Sequence, residues 1–216
     1  MMFIKWALFV LLGFSITELN AQSCFSPKLA KFLVEHPAAS VVFSNAMSQA
    51  SSNRIIQIFY YYTADKRDPG SCHRYVDNLS VVGIYVRENQ PVIDECISIL
   101  FEAVNSKGEQ RFRELYESAK TGSISKNDYV REILRVEFQA VKATKGFLRA
   151  LNLTSEEISQ SEIYNHFVNS PTNFDVFLII VRKFHEIGLK KRTNLFTTIC
   201  TKPLFARRIK LSKCQF

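Results

Sequence analysis

The segment Phe174 to Gly188, FDVFLIIVRKFHEIG, is apolar on nearly every side in its first half and on one side only in its second. Phe174, Phe177, Leu178, Val181 and Phe184 fall on one helical face, and Val176, Ile179 and Ile180 lie off it. A helix of that kind is expected at the centre of a core, with neighbours all round it. Val176 to Val181 alone is short and partly β-branched, as a strand would be, but Arg182 to Ile187 continues at helical spacing and Gly188 is a stop signal. The functional alternative for the same residues is the wall of an apolar ligand cavity.

Helical patterns also dominate upstream. Thr154 and Glu157 have capping-box spacing before Ile158 and Ile163, and Asn169 to Pro171 ends that helix. Ser125 with Asp128 marks an entry, after which Val130, Ile133, Leu134, Phe138, Val141, Leu148 and Leu151 trace one face over about six turns. Gly146 interrupts that helix with a residue that costs about 1 kcal/mol relative to alanine. Phe112, Leu115 and Tyr116 mark a short helix closed near Gly122, and Pro91 opens one carrying the stripe Ile93, Cys96, Ile97, Leu100 and Val104. Ser26 and Pro27 cap a short, peripheral helix that ends near His36.

Between these, Val42, Phe43, Ala46, Met47 and Ala50 are helically spaced, and Ile55, Ile58, Phe59 and Tyr62 extend the stripe. The same run, RIIQIFYYY, is rich in β-formers, as is VVGIYV from Val81 to Val86. Asp65 to Arg74 reads as a turn-rich loop broken at Pro69-Gly70 and tethered by Cys72. The expected fold is mainly α, a single-domain, helical bundle-like fold stapled by disulfides. The alternative is α+β, with a small strand pair from residues 55–62 and 81–86.

Lys5, the apolar run Trp6 to Ile16 and a polar stretch ending in small residues have the layout of a secretory signal peptide over residues 1–23, cut after Ala21 or Ser23. A lipoprotein signal fits less well, because Ala21 and Gln22 stand where a large aliphatic and a small residue are needed. The remaining segments are a helical domain, 24–189, and a basic C-terminal segment, 190–216. A secreted, extracellular protein is expected, periplasmic in a bacterium, with no transmembrane span. Export implies an oxidising compartment, in which Cys24, Cys72, Cys96, Cys200 and Cys214 are expected to form two disulfides and leave one thiol. Asn78 and Asn152 lie in glycosylation tripeptides, which a eukaryotic source would use if exposed.

The net charge of +8 is uneven. Lys190, Lys191, Arg192, Lys202, Arg207, Arg208, Lys210 and Lys213 stand in the last 27 residues with no acid among them, so the chain before them is neutral. In RRIKLSK, charged or polar positions alternate with Ile209 and Leu211, the pattern of a strand with one basic and one apolar face. Such a cluster attracts an anionic polymer, an anionic membrane surface or an acidic protein.

Familiar catalytic patterns fail on single residues. His185-Glu186 begins a zinc-protease helix, but Leu189 occupies the place of the second histidine. Ser123 and Lys126 have the spacing of a Ser-Lys pair without its companion motifs. His36, His73 and His166 show no metal-ligand spacing, and no Gly-rich phosphate loop is present. No metal, cofactor or catalytic residue is assigned. The expected function is non-enzymatic binding through the basic segment. The alternatives are a carrier of a lipid or other apolar small molecule, motivated by 18 phenylalanines and the FYYY run, and an enzyme of unrecognised type.

Overall fold

The computed structural model describes residues 25–51, 55–62, 71–76 and 81–191. Two helices, α1 (Pro27–Glu35) and α2 (Pro37–Ser51), lead into strands β1 (Ile55–Tyr61), β2 (Ser71–Val76) and β3 (Val81–Arg87). Then follow α3 (Val92–Asn105), a 3-10 turn (Ser106–Gly108), α4 (Glu109–Lys120) and α5 (Lys126–Ala150). Two short helices, α6 (Ser155–Ser159) and α7 (Tyr164–Val168), precede α8 (Phe174–Lys191). The described chain is thus mostly helical with a small three-stranded sheet.

The β-rich reading of 55–62 and 81–86 is the correct one. Ile55–Tyr61 pairs in parallel with Val81–Arg87, and β2 pairs antiparallel on the other side of β3. Helical spacing of Ile55, Ile58 and Phe59 loses to β-branching here because β3 supplies a complete row of partners. Ser71 to Arg74, expected in a loop, belongs to β2.

The central element is α3, not α8. Eleven of its 14 residues are buried, on all sides, against the sheet, α1, α2, α5 and α7. Its first turn places Asp94 and Glu95 at the positive end of the helix dipole. The main apolar core surrounds it: Ile93, Cys96, Ile97 and Leu100 from α3, Leu29 from α1, Phe43 from α2, Ile58, Val82 and Ile84 from the sheet, and Leu148 from α5. Leu29 is fully buried, so α1 is part of this core and not the peripheral helix its length indicates.

Helices α4 and α5 form a hairpin whose approach requires Gly108, since a Cβ there would lie 2.2 Å from Val136 Cγ1. The side chain of Ser125 caps α5 and the Thr154–Glu157 capping box starts α6, as their spacing predicts. The α5 helix runs unbroken through Gly146, which faces open space.

Disulfide stapling is not found: among the described residues no disulfide forms, and Cys72 and Cys96 are both buried thiols. The register explains why they do not meet. Cys72 stands opposite Tyr85, while the adjacent Ile84 and Val86 face the core that contains Cys96, so the two thiols lie on opposite sides of the sheet. Cys24, Cys200 and Cys214, the 1–23 leader and Asn78 lie outside the described residues.

Candidate functional site

The side chain of Asn173 starts α8 by accepting hydrogen bonds from the Asp175 and Val176 amides at 2.8 and 3.2 Å. One face of the helix then seats on α5. Phe177 and Leu178 are buried, the Phe177 ring lies 5.2 Å from that of Phe138, and the Arg135 guanidinium sits 4.5 Å above Phe174. An ion pair at 3.5 Å joins Asp175 to Arg131.

The opposite face is largely open among the described residues, with Ile180 at its border. Val176, Ile179 and Ile180 are 47, 53 and 38% exposed, and Arg182 and Lys183 beside them are exposed as well. The expectation that this helix is enclosed on all sides is therefore wrong. Its apolar character divides between a seam against α5 and an outward ridge at i, i+3 and i+4.

Between α5, α7 and α8 lies an open cleft of about 290 Å³. Val141, Phe177, Ile180 and Val181 form its apolar wall, and Asn165, His166, Asn169 and Ser170 its polar rim. The Lys145 ammonium, donating to the Ser170 carbonyl at 2.5 Å, holds the α7–α8 link against α5. The volume lies at the foot of the range for small-molecule sites, about 300–1,000 Å³.

Chemistry-bearing side chains inside the protein serve as cross-links from α3. Glu95, 1% exposed, accepts from Tyr60 Oη at 2.7 Å and Ser26 Oγ at 2.8 Å and has Lys28 Nζ at 3.3 Å, which ties α1 and β1 to α3. The Tyr60 hydroxyl accepts in turn from the Ser26 amide at 2.9 Å. Burial, then the Glu95 charge, pushes that hydroxyl far above the ordinary tyrosine range. Asp94 accepts from Ser161 Oγ and from the Glu162 amide, fixing the α6–α7 link.

Glu102 accepts from Ser71 Oγ at 3.0 Å and contacts His73 Nδ1 at 2.7 Å, while His73 Nε2 faces Glu109 at 3.8 Å. Burial works against the Glu109 charge, but His73 and Arg113 outweigh it and hold its carboxyl below the ordinary range. Ser71 Oγ and His73 Nδ1 both address the Glu102 carboxylate, so the hydroxyl donates to Glu102 and not to the imidazole. The two ring nitrogens address different carboxylates, and among the described residues no three His, Cys, Asp or Glu groups converge as a metal site. The Cys96 thiol is pushed up by burial and by Glu95, which keeps it protonated and inert.

Of the basic residues expected to bind anions, Lys190 and Lys191 end α8; Arg192, Lys202, Arg207, Arg208, Lys210 and Lys213 lie outside the described residues. Asn152 is exposed in the turn after α5, with a positive φ of 51°. Sequence reasoning missed the acid cross-links, although three acids at 94, 95 and 102 inside VIDECISILFEAVN were a signal. No helix of the described residues is long and apolar enough to cross a membrane. Comparison with known proteins finds no matching family model, no similar curated protein and no similar solved structure.

Proposed function

We propose that this protein is an exported, non-enzymatic binding protein whose basic C-terminal segment, 190–216, attaches it to an anionic surface or polymer. The observation that carries this reading is the charge distribution: eight cations and no acid in that segment, after a chain that is otherwise neutral. Solubility alone does not require such a bias, and a cluster of one sign raises both the local concentration of anions and their association rate. Its first two lysines end α8, so the segment continues from a helix anchored on α5. The internal acids and the histidine at 73 support a non-catalytic role, because each is paired with a side chain of a neighbouring element: Glu95 with Tyr60, and Glu102 with Ser71 and His73.

The test is removal of residues 202–216. Retention on a heparin column at low salt should fall sharply, with the circular dichroism spectrum unchanged. Equal retention of the shortened chain would refute the assignment.

The cleft between α5, α7 and α8 favours a second reading, a carrier of a small apolar molecule. Native mass spectrometry of the secreted protein distinguishes it: an added mass that is lost on denaturation marks a carrier.

A further inference from the structure

The ridge on α8 gathers three of the exposed large hydrophobic residues of the described surface on one helix, and the core has no use for them. Val176, Ile179 and Ile180 follow one another up a single face within about 6 Å of helix axis. On the other side, Phe177 and Leu178 keep the helix on α5, so the ridge is presented without any rearrangement. The next exposed residues are Arg182 and Lys183, and the chain runs on into Lys190, Lys191 and the acid-free segment. Asp175, the acid at the other end of the ridge, is paired with Arg131.

Resting on the reading of the basic segment as an anion-binding device, we infer that its partner is an anionic lipid bilayer, which the Val176–Ile179–Ile180 ridge enters. A polysaccharide or nucleic acid satisfies the cations but offers no apolar phase to three half-exposed aliphatic side chains. A membrane interface offers both within one helix diameter: phosphate headgroups for the cations, and the acyl boundary about 5–10 Å below for the ridge. Helix α8 then lies in the plane of the interface, its α5-facing seam untouched. The helix is too polar beyond Val181 to span the bilayer, so the contact is peripheral and reversible.

The experiment uses the full mature chain and its Val176→Ser/Ile179→Ser variant, with sedimentation on phosphatidylcholine vesicles containing about one third phosphatidylglycerol. Heparin binding is measured in parallel. The variant is expected to bind vesicles roughly tenfold more weakly or worse, from lost apolar burial, and heparin unchanged. Unchanged vesicle affinity in the variant overturns the ridge assignment and leaves the basic-segment reading standing. If the parent chain binds neither vesicles nor heparin, the underlying reading falls instead.

Should the variant lose its fold, Ile179→Trp decides. Its fluorescence must shift to the blue on adding anionic vesicles, and an unshifted spectrum overturns the proposal. So does a parent chain that is dimeric in solution and becomes monomeric in the variant, since the ridge would then be a contact between copies.

Discussion

Glu95 shows how the fold accommodates a buried acid. Its carboxylate faces two hydroxyls and an ammonium from α1 and β1, which offset the cost of desolvating it. Tyr60→Phe removes one donor to Glu95 and the acceptor of the Ser26 amide, and should cost about 1–3 kcal/mol in urea denaturation at pH 7. The hydroxyl is raised in the folded state, so its contribution is complete below about pH 10 and is lost as pH rises above the unfolded value. The parent should weaken above pH 10, and Tyr60→Phe should flatten that limb. Glu109 behaves in the opposite sense: its carboxyl is depressed, so its contribution holds above about pH 4 to 5 and fades on acidification. Glu109→Gln should therefore be less stable at pH 7 and show a shallower acid limb in pH-dependent thermal melts. The sequence displays these acids but not their donors, because Ser26, Tyr60 and Ser161 are 35 to 69 residues away from their carboxylates and pattern reasoning reaches only along one element.

At the scale of elements, two glycines show why spacing alone falls short. Gly146 looks like a flaw in α5, yet nothing lies near it, so Gly146→Ala should stabilise the protein by about 1 kcal/mol. Gly108→Ala should destabilise it, because the new methyl would collide with Val136 where α4 and α5 meet. Chemical denaturation of both variants checks the contrast. Caps and stop signals place the starts of α1, α3, α5 and α6 because they are local chemistry, carried by Ser26, Pro91, Ser125 and Thr154. Strand β2 escapes notice since SCHRYV has neither a run of β-branched residues nor a clean alternation, and it exists because β3 has an edge to fill. Helix α8 misleads in the opposite direction. Apolar residues on every face imply burial, but a helix resting on one neighbour can expose half of them, and only the packing reveals which half.

At the scale of the whole molecule, the described residues divide into a core body and a helix that leans on it. A core around α3 holds the sheet and α1, α2, α5 and α7 together, cross-linked by buried acids. Helix α8 leans on that body through α5, turns an aliphatic ridge outward and leads into the basic segment. The charge asymmetry was plain in the sequence; the ridge was not, since exposure is a property of the assembled fold. Central to this view is that cations after residue 189 hold the protein to an anionic partner. The most direct test is the affinity of the protein for anionic vesicles as salt is raised from low to above physiological concentration. A steep fall in affinity with ionic strength, strongly reduced when residues 202–216 are removed, is the expected result. Affinity indifferent to salt, or the same salt dependence without those residues, would contradict it.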